Sequence, residues 1–259
     1  MRTSITRLLQ YNRVLVLAGL AGITAISWAY LLNRVGAGGM DMEMEMSQPR
    51  MQAWRAVDFL LNFEMWWVMM IGMMVPSAAP MILTYDTLHQ KRHAGKAALL
   101  PSAMFLLGYL FLWGLFSATA TAAEWALASA ALLSPQLTST SPALSGALLL
   151  AVGAFQWSPL KHACLHHCRT PLGFLLNEWR EGALGALTMG LRHGYYCVGC
   201  CSLLMTLLFV AGIMNLLWVA VIASFVLIEK VVPAYSGISR AAGVIMAAWG
   251  VALIAGALM

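Results

Sequence analysis

The chain has 259 residues, 61% of them hydrophobic and only 10% charged, with a formal net charge of +5 and a mean hydropathy of +0.78. That composition excludes a water-soluble domain and describes a single all-α integral membrane domain over residues 1–259. The basic excess follows from where the arginines and lysines fall between the apolar runs, so nucleic acid is not needed as a partner.

In chain order, Arg2, Arg7 and Arg13 precede a first apolar run at residues 14–32. It is longer than a signal-peptide core and no small-residue cleavage site follows, so it reads as an uncleaved anchor. Residues 33–56 are polar and methionine-rich. A second span is expected at 64–83 and a third at 97–125. A Ser/Thr/Pro loop (134–142) leads to a fourth at 143–159. A charged segment, 161–182, precedes a fifth span ending near Gly212. Gly212-Ile213-Met214-Asn215 turns the chain into a sixth that ends at Glu229-Lys230. Residues 233–237 break the chain before a seventh span at 241–258.

The pattern predicts a polytopic bundle of about seven transmembrane helices. With the N-terminus inside, inner segments carry Arg2, Arg7, Arg13, Lys91, Arg92, Lys96, Lys161, Arg169, Arg180, Lys230 and Arg240, and outer segments only Arg34, Arg50 and Arg55. The expected topology is therefore N-terminus inside and C-terminus outside, multi-pass in a bacterial inner (cytoplasmic) membrane. Residues 33–56 form the outer loop and 161–193 an inner His/Cys-rich connection. Trp28, Trp54, Trp66, Trp67, Trp125 and Trp218 fall near the outer interface, as an aromatic belt does.

Arg192 is the topological tension, because a charge deep in a span is costly and usually functional. It is relieved if residues 174–191 lie along the inner surface and the fifth span begins near Gly194. That arrangement brings the next motif to the inner end of a helix.

Four features carry chemistry. The motif Gly194-Tyr195-Tyr196-Cys197-Val198-Gly199-Cys200-Cys201 puts three thiols at i, i+3 and i+4, on one helix face. A single cysteine there would read as packing; three read as a soft-metal or redox site. The segment Lys161–Arg169 repeats the spacing with Cys164, His167 and Cys168, ligand types that suit zinc, copper(I) and iron–sulfur centres.

Residues 40–46 alternate methionine with carboxylate, and an extended chain would present Met42, Met44 and Met46 on one face. Thioethers are soft ligands that bind copper(I) without deprotonation. The second span carries Met65, Met69 and Met73 at four-residue intervals, with Glu64 at its outer end as either an entry ligand or an interfacial residue. Pro76 and Pro80 are expected to kink it. Methionine also fills apolar cores, so the stripe alone does not decide.

Together the features form a gradient from thioether to thiolate, which favours copper (Cu+) over magnesium or calcium. Zinc and haem remain candidate cofactors. Glu229 and Lys230, at the inner end of the sixth span, read as snorkelling interfacial anchors, and His89 and His93 share a helical face in a basic inner loop that reads as solvated.

The motifs jointly resemble a bacterial family of predicted metal-binding integral membrane proteins, a domain of unknown function. The resemblance rests on Trp66 with Met73-Met74-Val75-Pro76, on Pro159, Lys161, Cys164, Cys168-Arg169 and Pro171, and on Gly190, Gly194, Cys197 and Cys200-Cys201. Gly212, Asn215 and Glu229-Lys230 complete it. The family usually has Trp after the cysteine pair, where this chain has Ser202. The resemblance implies a membrane fold and metal binding, raises Glu229 to a partner for Arg192 or for a metal ligand, and supplies no reaction.

The expected function is binding and relay or transport of a soft transition metal, copper(I), through Met, Cys and His ligands. Expected partners are the lipid bilayer, the ion, and a metallochaperone or cuproenzyme, with an oligomer also compatible. Uptake, delivery and export fit the sequence equally. One alternative is a membrane oxidoreductase using thiol–disulfide chemistry or a haem held by His162, His166, His167 or His193, although no Cys-x-x-Cys-His attachment sequence occurs. The other is a structural subunit of a membrane complex.

Overall fold

The computed structural model describes residues 2–45, 54–93, 99–134, 137–232 and 236–258, with side chains described throughout these except at 2–11, 37–45, 236 and 258. Its elements are α1 (Arg2–Glu45), α2 (Ala56–Arg92), α3 (Leu99–Ser129), α4 (Pro142–Phe155), α5 (Pro159–Arg169), α6 (Pro171–Glu178), α7 (Gly182–Met205), α8 (Leu208–Ala211), α9 (Leu216–Val231) and α10 (Ser236–Leu258). Among the described residues the only strand-like feature is an isolated bridge, Leu133 with Ser139.

Local sequence sets several boundaries. Ser141 and Ser158 accept from Leu144 N and Leu160 N, and each is followed by a proline in the first turn, where the missing N–H costs nothing. Asn215 caps α9 by accepting from Trp218 N, just after Gly212 at φ +96°, a backbone angle that favours glycine at this reversal.

Five helical segments are long and apolar enough to cross a membrane: Asn12–Gly36, Ala56–Arg92, Leu99–Ser129, Gly182–Ala211 and Gly237–Ala257. The count becomes six if α4 and α5, bent by 63° at their junction, form one broken span. At 14 and 16 residues, α4 and α9 are each shorter than the roughly 17–25 residues a straight span needs. The structure therefore supports five or six candidate crossings where the sequence suggested about seven.

The core is built on helix pairs. α3 packs along α7, α4 along α10, and α2 against both α1 and α3. The α3–α7 crossing is very close: a Cβ on Gly190 would stand 2.0 Å from Phe105 O, and one on Gly108 2.3 Å from Leu187 O. Glycine at both positions lets the backbones meet, as small residues do in membrane helix pairs.

Three expectations are corrected here. α1 continues through Glu45, so residues 40–45 are helical, and the strict alternation does not sort methionines and carboxylates onto opposite faces of an extended strand. Trp66 is fully buried and not part of an interfacial belt. α7 is one helix from Gly182, so residues 182–191 do not lie apart from the span that carries the cysteines.

Candidate metal centre

All five cysteines are free, and all are buried. Cys197, Cys200 and Cys201 share the inner face of α7. The Cys197 and Cys201 sulfurs are 3.9 Å apart, and the buried Cys168 thiol of α5 interacts with those of Cys197 and Cys200. Cys164 packs onto the same helix, where a Cβ on Gly199 would meet its sulfur at 2.8 Å. Two short helical stretches with the same cysteine spacing thus face each other.

Cys197 is the hub. Its sulfur lies 3.1 Å from Tyr109 OH on α3 and 3.0 Å from Lys230 Nζ on α9. Lys230 also donates to Ser77 Oγ on α2 at 2.8 Å, and Tyr109 OH donates to Met74 O at 3.2 Å. Side chains from α2, α3, α5, α7 and α9 therefore converge on one buried point. Cys200 and Cys201 turn their thiols back onto Cys197 O, at 3.2 and 2.8 Å.

Met65, Met69, Met70, Met73 and Met74 are all buried, so the methionine stripe of α2 faces the bundle interior. α2 runs on as helix through Pro76 and Pro80. Pro76 has no N–H to offer Gly72 O four residues earlier; that carbonyl accepts from Trp28 Nε1 of α1 at 3.3 Å instead. Near the stripe, Trp66 Nε1 donates to Glu124 Oε2 at 2.7 Å, with both residues buried.

The chain's match to known families bears on copper handling. Residues 63–253 match the model of the PpoB2 family, whose description is copper chaperone. The chain belongs to this family. No curated protein and no solved structure matches it.

The PpoB2 match takes in the methionine stripe, all five cysteines, Tyr109, His193, Glu229 and Lys230. Met42, Met44 and Met46 fall outside it. Met46 also lies outside the described residues, as do the side chains of Met42 and Met44. Glu64 is exposed at the start of α2.

Two candidates in this PpoB2 chain are engaged elsewhere. His167 does not join the thiols: its Nδ1 pairs with Ala163 O at 2.9 Å, and its ring stacks on Tyr196 at 4.1 Å and 7°. Glu229, 1% exposed, pairs neither with Arg192 nor with the thiols. It accepts from Lys161 Nζ at 2.5 Å and from Ser239 Oγ at 2.9 Å, and Lys161 also donates to Gln156. A buried carboxylate needs such a partner, and the fully buried ammonium supplies it. Arg192 pairs with Glu178 on α6, which offsets the charge within this apolar segment. Glu229 and Lys230 are thus core residues, not interfacial anchors.

His193, Tyr109, Ser77 and Lys230 join the thiol cluster without any spacing motif that marks them as a set. His193 is 1% exposed, stacks on Tyr109 at 5.4 Å, and has no hydrogen-bond partner for either ring nitrogen. Its place four residues before Cys197 and eight before Cys201 was the available signal. Among the described residues, no group of three or more His, Cys, Asp or Glu is arranged to hold a metal ion. The folded-back thiols of Cys200 and Cys201 are a physical reason, since their sulfurs are engaged with backbone oxygen.

Proposed function

We propose that this chain handles copper(I) as cargo inside a membrane helix bundle, passing it along the buried methionines of α2 and holding it at the thiols of α5 and α7. Membership of a copper chaperone family supports copper handling. The observation that carries the site assignment is the packing of buried thiols from two helices: the Cys164 sulfur of α5 lies against α7 at Gly199, beside Cys197 and Cys201, whose sulfurs are 3.9 Å apart.

In this reading Met65, Met69 and Met73 form the transfer stripe, Glu64 with Met42, Met44 and Met46 gathers the ion outside, and Cys164, Cys168, Cys197, Cys200 and Cys201 retain it. His193 is an added neutral donor beside Cys197. Binding needs Cys200 and Cys201 to rotate away from Cys197 O, and each thiol that ligates releases a proton. Met-to-Cys transfer is favourable because thiolate is the stronger soft ligand.

The membrane reading places the N-terminus inside, from the basic residues of the connecting segments. The thiols then sit near the middle of the Gly182–Ala211 segment. A copper-receiving cuproenzyme or a supplying metallochaperone is the natural partner class.

The experiment is copper(I) titration of the purified chain against a competing chelator, beside a variant with all five cysteines replaced by serine. The reading requires high-affinity copper in the parent and its loss in the variant. Equal retention by both overturns it.

A further inference from the structure

A second polar cluster lies within the bundle, on the last turns of α2. Asp86, His89 and Gln90 occupy positions i, i+3 and i+4, which is one helix face. They are 0%, 8% and 2% exposed, and Ser102 of α3, 4% exposed, lies beside the Asp86 carboxylate. Gln90 Nε2 donates to Asp86 Oδ2 at 2.6 Å. That single bond leaves Asp86 Oδ1, Gln90 Oε1, His89 Nδ1 and Ser102 Oγ buried without hydrogen-bond partners.

Buried polar atoms are almost always paired, and four orphans in one place call for an occupant. The set is rich in lone pairs: a carboxylate oxygen, an amide oxygen, a hydroxyl and an imidazole nitrogen. A cation beside the Asp86 carboxylate can draw on these lone pairs, with the Ser102 hydroxyl and the His89 imidazole turning their lone pairs towards it. We propose that Asp86, His89, Gln90 and Ser102 form a second cation site, for a borderline divalent transition-metal ion such as copper(II) or zinc.

The donor chemistry sets the class. Imidazole nitrogen suits zinc and copper, while carboxylate and carbonyl oxygens suit harder ions, so a mixed N/O set without sulfur selects borderline divalent ions over copper(I). The site is separate from the thiols: Asp86 lies nine residues beyond Ser77 on α2, roughly 13 Å along the axis at 1.5 Å per residue.

The surroundings close the site off. Tyr85 stacks on Phe105 at 5.2 Å and on Trp179 at 5.4 Å, and Arg92 covers the Trp179 ring at 4.4 Å. Towards the surface, His93 stacks on His89 at 4.3 Å and meets Glu181 at 3.2 Å, which offers an entry path of titratable groups. Arg13 of α1 also acts on Asp86. The site does not depend on the copper(I) reading.

The test uses the full chain with all five cysteines replaced by serine and with His162, His166 and His167 replaced by glutamine, loaded with copper(II) alone. The expected result is one bound equivalent, with nitrogen coupling from one imidazole in the electron paramagnetic resonance spectrum. Asp86→Asn and His89→Gln should each lower affinity by a factor of ten or more, and His89→Gln should abolish the nitrogen coupling. No bound equivalent, or a spectrum unchanged by His89→Gln, overturns the site. Should Asp86→Asn fail to fold, the parent spectrum still decides: oxygen-only coordination contradicts the proposal. The thiol reading is tested in the cysteine-containing chain, so either can fail alone.

Discussion

Lys230 Nζ lies 3.0 Å from Cys197 Sγ, so an ammonium from α9 reaches the central thiol of α7. Its second bond, to Ser77 Oγ at 2.8 Å, ties the same group to α2. A cation is therefore already accommodated at the thiol cluster. Lys230→Met removes both bonds and leaves Cys197 and Ser77 without this donor. The expected loss of stability is on the order of 1.5–3 kcal/mol, the range for hydrogen bonds to charged groups. A thermal-denaturation midpoint unchanged from the parent would contradict this role.

The Lys161–Glu229 pair, at 2.5 Å and almost wholly buried, makes a sharper prediction. Removing one partner strands a buried charge, at a cost of about 3–5 kcal/mol. Lys161→Met and Glu229→Leu should each be strongly destabilising, while the double variant recovers most of the loss. A double-mutant cycle on thermal stability measures the coupling. Additive single effects would show that the two charges do not depend on each other.

Glycine substitutions separate the fold from the site. Gly190→Ala places a Cβ 2.0 Å from Phe105 O, against backbone that cannot move without parting α3 from α7, so folded protein should be lost. Gly199→Ala meets only the Cys164 sulfur, at 2.8 Å, which a side-chain rotation relieves. It should fold normally and change the copper(I) affinity. Gly19→Ala, with nothing within 4 Å, is the control. Size-exclusion profiles and copper titrations read out all three.

Met69→Leu and Met73→Leu replace thioethers with side chains of similar volume, and volume-conserving swaps in a core usually cost less than about 1.5 kcal/mol. Stability should be nearly unchanged while the rate of copper(I) loading falls and the final stoichiometry holds. If loading kinetics are also unchanged, the buried methionines are packing.

Much of this was legible in the sequence, and what was not has identifiable causes. The cysteine spacing gave the correct helix face on α7, and Met65, Met69 and Met73 gave the correct buried face on α2, because helical periodicity alone fixes which residues share a side. His167 shared the spacing of Cys164 and Cys168 yet turned aside, because Tyr196 on α7 offers a flat ring for its own. Spacing cannot foresee a partner on another helix.

The same limit hid Lys161–Glu229 and Arg192–Glu178, pairs separated by 68 and 14 residues. Read one residue at a time, each charge looked interfacial or costly; read in pairs, the charges satisfy one another. His89, expected to be solvated beside His93, is buried because α2 extends to Arg92 and the Trp179 region covers its end. The helix outlasts its apolar run, and hydropathy marked only the run.

The most direct test of the central claim is X-ray absorption at the copper edge of the copper(I)-loaded chain, in parallel with Cys197→Ser. The account predicts sulfur-dominated coordination in the parent, and weaker binding with fewer sulfur neighbours in the variant. Coordination by nitrogen and oxygen alone, or a spectrum that Cys197→Ser leaves unchanged, would contradict it.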